Sequence, residues 1–293
     1  MRLNDIKQAL KKQLADQYES VELGPILSIL IEHVTGWDQV QQVIHKDNTI
    51  SAAQELTFET AATALLAGRP IQYITGKTWF MGEPYIVNEQ VLIPRPETEE
   101  LVDWILSSLD KNTTREIADL CAGSGCIALA LKSKIPNAEI IAAELSEEAI
   151  ALIEENCLKT DLRVIPIKMD VLNDEEYSLF KGNSFDCWVS NPPYIPYKDK
   201  QMMSENVLDF EPHIALFVED NDPLIFYSKL AENAKKYLKN NGFLFFEIHE
   251  DYSEEMNAML KEKGFVNIEL RKDLQGKARM MRAQNVISNY ESK

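Results

Sequence analysis

The sequence of 293 residues holds no apolar run able to cross a membrane: its longest stretch without a charge, residues 120–131, falls well short of the roughly 18 residues a bilayer demands. Basic charge is scarce. Thirty Lys and Arg stand against 47 Asp and Glu, a formal net charge of −17, so an enzyme working on bare duplex DNA would need a local basic groove to overcome its own repulsion. Cysteine is sparse too. Cys121, Cys126, Cys157 and Cys187 match neither a zinc ribbon nor a CxxC pair and read as reduced thiols of a cytoplasmic protein. The four histidines, His33, His45, His213 and His249, share no ligand spacing, so no metal is expected. The N-terminus shows no secretory signal, and the chain has no internal repeat or low-complexity linker.

What is present is the composition of a folding, globular chain: 45% hydrophobic and 26% charged residues, with a length that suggests two domains at roughly 100–200 residues each. Residues 1–74 read as a helical domain. Apolar positions recur there at helical spacing, first Leu3, Ile6, Leu10 and Leu14, then Ile26, Ile29, Leu30 and Val34, with further helices over 39–45 and 51–67. Ser51 is placed to cap the last of these, and Gly68-Arg69-Pro70 to stop it. Six basic against nine acidic residues give this part only −3, so most of the acidity lies beyond it. Between 71 and 93 the texture turns to Tyr, Thr, Trp, Phe, Ile and Val broken by Gly76, Gly82 and Pro84, which predicts a linking β-hairpin, assigned to residues 75–93. Prolines then lead into an acid-rich first turn and a helix over 101–109.

From residue 94 to 293 short apolar runs alternate with amphipathic segments. Strands are expected at 116–120, 139–143, 163–168, 185–189 and 243–248, and helices at 127–133, 147–160 and 224–239. The alternation predicts an α/β fold, a Rossmann-like doubly wound parallel sheet with helices on both faces. Residues 265–270 and 278–286 read as two more strands at one edge, with an antiparallel pairing open to them. The polar stretch 195–222 is too long for a routine connector and suits a lid or partner surface.

Three signals carry chemistry. The first is Asp119-Leu120-Cys121-Ala122-Gly123-Ser124-Gly125-Cys126, an apolar strand entering a small-residue turn and then a helix, where glycines allow close backbone approach and the helix start offers free N–H groups. A dinucleotide fingerprint would need a third glycine where Ala128 stands, so something smaller is favoured. The second is Glu144, at the end of the next strand, where a carboxylate can accept from both hydroxyls of a ribose. The third is Asn191-Pro192-Pro193-Tyr194 at the mouth of a buried strand. The Asn191 side chain and the Pro192 carbonyl make two acceptors for the two hydrogens of one planar –NH₂ group, and Tyr194 offers a face to pack on it.

Residues 119–125, Glu144 and 191–194 together resemble the S-adenosylmethionine-dependent methyltransferases of planar amino groups, which modify adenine N6, cytosine N4 or glutamine N5. Three more segments narrow this: Val91-Leu92-Ile93-Pro94-Arg95-Pro96-Glu97-Thr98-Glu99, Glu211-Pro212-His213-Ile214-Ala215-Leu216-Phe217, and Lys272-Asp273-Leu274-Gln275-Gly276. With the helical N-terminal domain, they closely resemble the peptide chain release factor glutamine N5-methyltransferases, the HemK/PrmC family, over essentially the whole chain. The resemblance implies S-adenosylmethionine as cofactor, held by Cys121, Ala122, Gly123, Ser124 and Gly125, with its ribose on Glu144, its adenine near Asp170 and Val171, and its methyl near Asn191. It implies that Asn191, Pro192, Pro193 and Tyr194 bind the substrate glutamine, with Asn191, Pro192 and Tyr194 catalytic. The sequence departs from the family pattern at Cys121-Ala122, where Gly-Thr is common, at Glu144, where Asp is common, and at His249, where Gly is usual.

The implied function is methylation of the glutamine of the Gly-Gly-Gln motif in release factors, by a cytoplasmic monomer that binds neither nucleic acid nor membrane and uses its N-terminal domain to grip the protein substrate. Three rivals stand beside it: a glutamine methyltransferase of a ribosomal protein, a DNA or RNA amino-methyltransferase, and a nucleotide-binding interaction module without chemistry. Cys121 is expected to pack rather than attack, since no His adjoins it in sequence.

Overall fold

A computed structural model describes residues 1–287. These divide into two compact units, Met1–Lys77 with Ser204–Phe210, and Thr78–Met203 with the chain from Glu211 onward. The first unit holds helices α1 (Leu3–Leu14), α2 (Ser20–Thr35), α3 (Gln39–Ile44), α4 (Ala52–Leu66) and α5 (Ile71–Thr75). Leu3, Ile6, Leu10 and Leu14 form the buried stripe of α1, as their spacing predicts. On α2 the buried stripe is Leu23, Leu27, Leu30 and Ile31, whereas Ile29 is exposed; the segment is apolar nearly all round, and packing on α1 and α4 selects the face. Ser51 caps α4 in a reciprocal box with Gln54, and Asp38 does the same for α3 with Gln41, each contributing about 1 kcal/mol.

The expected strand texture from residue 71 is instead α5. Pro70 presets its first turn and Gly76, at φ 66°, ends it, so the bracketing residues override the β preference of Ile and Tyr. The hairpin itself is β1 (Lys77–Phe80) and β2 (Glu83–Ile86), turned by Met81 and Gly82, both at positive φ. Helix α6 (Pro96–Ser108) then starts five residues earlier than expected, with Pro96 in its first turn.

The second unit continues through β3 (Glu116–Leu120), α7 (Cys126–Lys134), β4 (Glu139–Glu144), α8 (Glu147–Thr160), β5 (Ile165–Lys168) and β6 (Phe185–Ser190). Residues 195–222 carry a short parallel pair, β7 (Ile195–Pro196) and β8 (Phe217–Val218), and the small helix α9 (Glu205–Phe210), which belongs to the first unit. The chain closes with α10 (Ile225–Tyr237), β9 (Leu238–Glu247), α11 (Ser253–Glu262), β10 (Val266–Lys272) and β11 (Ala278–Gln284). Helix α11 was not foreseen.

Seven strands form one sheet in the order β10-β11-β9-β6-β3-β4-β5. The five strands from β9 to β5 run parallel, and β11 and β10 add the antiparallel edge that the sequence left open. Because side chains alternate across a strand, Cys187 and Val189 enter the core beneath α6 and α7 while Trp188 enters that beneath α10 and α11. Both faces are thus covered, which is why these strands read as short, mainly apolar runs without alternation. The chain builds outward from β3 to β5, then returns to place β6 on the other side of β3. Ligand crevices form at that reversal, beyond the carboxyl ends of the strands.

Candidate active site

Beyond β3 the backbone makes three left-handed excursions in five residues, at Cys121 (φ 65°), Gly123 (φ 55°) and Gly125 (φ 76°), and so bends sharply into α7. The two glycines serve different ends. A Cβ on Gly123 would meet open space, whereas one on Gly125 would sit 3.1 Å from both Cγ atoms of Ile153 on α8. Gly125→Ala is therefore expected to lower stability by roughly 2 kcal/mol or more, from left-handed strain plus overpacking. Gly123→Ala should cost only the strain, about 1 kcal/mol, and register chiefly as weaker cofactor binding. Chemical denaturation of both variants checks this; equal stability losses would overturn the distinction.

Asp119, wholly buried, accepts from the Ala128 amide with Oδ2 at 3.0 Å, while its Oδ1 has no partner among the described residues. Burial pushes its carboxyl up to about 7, and the charge of Glu144 adds to the rise. The turn is also held from behind. Asn156 of α8, wholly buried, donates to the Ser124 and Ile86 carbonyls and accepts from the Ile86 amide, tying the hairpin to the glycine turn.

Glu144 ends β4 with its carboxylate already engaged: Oε2 accepts from the Gly123 amide at 2.8 Å, and Oε1 from the Leu145 and Ser146 amides at 2.8 and 3.1 Å. Of about four lone-pair positions one remains, on Oε2. One ligand hydroxyl can take it, while a second must share an oxygen in use. After β5, Asp170 accepts from the Leu172 amide, and the Val171 carbonyl accepts from the Tyr177 hydroxyl.

At the end of β6, Asn191 Nδ2 donates to Thr98 Oγ1 at 3.5 Å and Thr98 donates to Glu247 Oε2 at 2.6 Å. Tyr194 turns its hydroxyl to Glu247 Oε1 at 3.2 Å and sets its ring edge-on to His249. The run before α6 is fixed by Glu211, which is buried and accepts from the Ile93 amide and the Arg95 guanidinium.

One cavity joins these parts, with about 950 Å³ of atom-free space including its open mouth. It is lined by Cys121, Ala122, Gly123 and Ser124 from the turn, Glu144, Asp170 and Val171, and Asn191 and Pro193. Gly125, Pro192 and Tyr194 do not line it: Gly125 packs on α8, Pro192 is buried, and Tyr194 faces Glu247. The remaining wall is mostly apolar, including Val91, Leu92, Ile127, Met169 and Phe226, and contains no Lys or Arg. A mostly apolar slot with two carboxylates, Glu144 and Asp170, and an open glycine backbone at its side fits a nucleoside cofactor. Cys121 is no nucleophile here, since burial and nearby carboxylates raise its thiol far above neutrality. Among the described residues, no group of three or more His, Cys, Asp or Glu could hold a metal ion.

Sequence reasoning missed Asn156 and Glu211 as supports and gave no role to Glu247 or to the Thr98 hydroxyl. Thr98 and Glu211 stand inside segments that carry the family resemblance, and Asn156 left a trace of its own, a polar residue at the apolar spacing of its helix, four beyond Leu152 and three beyond Ile153.

Comparison with known proteins agrees with this construction. Residues 5–76 match the PrmC N-terminal domain and residues 101–209 the methyltransferase small domain. A release factor glutamine methyltransferase of Flavobacterium psychrophilum is 38% identical over 285 residues, covering 96% of this chain and 99% of that protein. Its counterpart in Bacteroides thetaiotaomicron is 36% identical over 281 residues, with the same coverage of both chains. Among solved structures, a methyltransferase from Pyrococcus furiosus shares the fold at a TM-score of 0.52 and 15% identity, over 78% of this chain and all of that one. With a match that runs nearly end to end on both sides, the chain belongs to the family of release factor glutamine methyltransferases.

Proposed function

We propose that the protein methylates the N5 side-chain amide of the glutamine in the Gly-Gly-Gln motif of peptide chain release factors. The observation carrying this reading is the single cavity that Asn191 and Pro193 share with Gly123 and Glu144. S-adenosylmethionine, the donor, supplies a methyl on a positively charged sulfur. Cys121–Gly125 would pass its backbone along that donor, Glu144 would accept from its ribose, and Asp170 and Val171 would flank its base.

A carboxamide nitrogen is a poor nucleophile because its lone pair is delocalised into the carbonyl. The enzyme's task is to hold it in line with the methyl. In this reading Asn191 Oδ1 accepts one of its two N–H bonds at the cavity wall, and substrate entry must bring the Pro192 carbonyl and the Tyr194 ring, which lie off that wall, within reach of the other N–H and of the flat amide. Positioning of this kind supplies roughly 7–11 kcal/mol. As positive charge grows on nitrogen, the same two acceptors bind more strongly, so the transition state gains more than the ground state, and the methylated nitrogen then releases one of its two protons to solvent to give the neutral amide.

The helical first unit grips the release factor in this reading. Val40, Val43 and Ile44, adjacent on one face of α3, are 67–70% exposed, an unusual density of apolar surface for so short a helix. Val43→Asp should raise KM for release factor roughly tenfold while leaving kcat and cofactor affinity unchanged; an unaltered KM removes α3 from the interface. The acidity of the chain and the absence of basic residues from the cavity wall support a protein substrate over nucleic acid. A monomeric state and a cytoplasmic location belong to the same reading, and light scattering tests the first.

The deciding experiment offers radiolabelled S-adenosylmethionine to release factor, ribosomal protein and DNA in parallel. Label on release factor, with one methyl's mass on the Gly-Gly-Gln glutamine, is expected. Label on either other acceptor, or on none, overturns the assignment.

A further inference from the structure

Beside Asn191, a short chain of side chains leads from Thr98, itself on the cavity wall, into the core at Glu247. Thr98 and Glu247 are 3% and 2% exposed. Thr98 donates to Glu247 Oε2 at 2.6 Å, Tyr194 donates to Oε1 at 3.2 Å, and the Asn191 amide approaches Thr98 Oγ1 across a long 3.5 Å. A side-chain amide can present either its oxygen or its –NH₂ to a neighbour, and the neighbour's proton decides which.

An ionised carboxylate can only accept. Glu247 therefore claims the single proton of Thr98, and the hydroxyl oxygen is left able only to accept. The end of Asn191 that faces it must then be –NH₂, which turns Oδ1 toward the cavity. Protonating Glu247 reverses the chain: the acid donates to Thr98, Thr98 donates to Asn191 Oδ1, and –NH₂ swings toward the substrate, donor facing donor.

From this geometry we infer that Glu247, acting through Thr98, is a positioning residue that fixes which end of the Asn191 amide meets the substrate nitrogen. The inference rests on the proposed role of Asn191 as acceptor. It gives the Thr98 hydroxyl, buried between strand and helix, a task beyond packing.

The charges around Glu247 come from several elements. Arg279 on β11 favours the ionised form and Glu97 in the first turn of α6 opposes it. Tyr194 and Thr98 stabilise the ionised form by donating to it. Cys126 at the start of α7 lies within range of its charge, and Tyr227 of α10 donates to the Glu247 backbone carbonyl at 2.9 Å. Burial is the largest influence and raises the carboxyl above the ordinary range. The ionised form is the active one, so kcat should fall as pH drops through this raised value.

The test pairs Thr98→Val, which keeps shape and deletes the hydroxyl, with Thr98→Ser, which keeps the hydroxyl. Thr98→Val is expected to lower kcat roughly 10- to 100-fold, with KM for release factor and the dissociation constant of S-adenosylhomocysteine within about threefold of wild type, and Thr98→Ser to restore kcat. Thermal unfolding checks that each variant folds. Glu247→Gln provides a second variant, whose kcat should lose the acid-side decline of the wild type.

A readout independent of turnover is the side-chain ¹⁵N amide signal of Asn191, identified by its disappearance in Asn191→Ala. It should shift with pH in the wild type and stay fixed in Glu247→Gln. Thr98→Val with wild-type kcat, or an Asn191 signal indifferent to pH in the wild type, overturns the relay. Should the wild type transfer no methyl to release factor, the functional reading fails on its own, and the amide signal still decides the relay.

Discussion

Asn191→Ala is expected to reduce kcat for release factor methylation by roughly 10²–10³-fold, the loss typical of removing one preorganised hydrogen-bonding group from a developing charge. Affinity for S-adenosylhomocysteine should change by no more than a few fold. The split follows from the cavity. In the proposed arrangement Asn191 lies on the part of the wall nearest the methyl, while the ribose would lie on Glu144 and the glycine turn, all of which line the same cavity. Replacing Asn191 leaves Pro192 as a single acceptor, so the amide nitrogen keeps a place to bind but loses its aim. Calorimetry with S-adenosylhomocysteine alongside single-turnover methyl transfer separates the two quantities. An equal loss of both would show that Asn191 holds the cofactor rather than the substrate amide.

Glu144→Ala should act in the opposite sense, on binding first. Its carboxylate gathers the amides of Gly123, Leu145 and Ser146 and keeps one lone pair toward the cavity. A charge-assisted bond to a ligand hydroxyl contributes about 1.5–3 kcal/mol, so losing the one bond that the free lone pair can make implies a dissociation constant raised roughly 10- to 100-fold. The protein without cofactor should also lose about 1–2 kcal/mol, because three backbone donors are left without their acceptor. Glu144→Gln, which keeps one acceptor oxygen, should fall between. A Glu144→Ala variant that binds S-adenosylhomocysteine like the wild type would remove Glu144 from the cofactor site and leave it as a brace for the turn.

These two expectations draw on unequal amounts of sequence information. The sheet was open to reading because both of its faces are covered: strands such as 116–120 and 185–190 are short, largely buried runs, polar only at Glu116, Asp119, Asp186 and Ser190, and the helices between them carry the intervening periodicity. Glu144 and Asn191 were legible for a related reason, Glu144 being the last residue of β4 and Asn191 the first after β6, where a parallel sheet delivers its carboxyl ends to one edge. Misreadings fell where local preference and tertiary packing compete. Residues 71–75 have strand-forming side chains yet wind into a helix between Pro70 and Gly76, and α2 buries a stripe that only its neighbours select.

Sequence alone established an α/β sheet with a helical N-terminal part, a glycine turn followed by an acid at the next strand's end, and an Asn-Pro-Pro-Tyr mouth, because each is written in residues close together in the chain. Only the tertiary structure decided that Thr98 and Glu247 stand behind Asn191, that Asn156 braces the glycine turn, and that Tyr194 turns its hydroxyl inward. Those partners lie between 32 and 149 residues apart along the chain. No local pattern encodes such a pairing. A buried polar group is compatible with any partner that satisfies it, and which one arrives is settled by how the strands and helices stack.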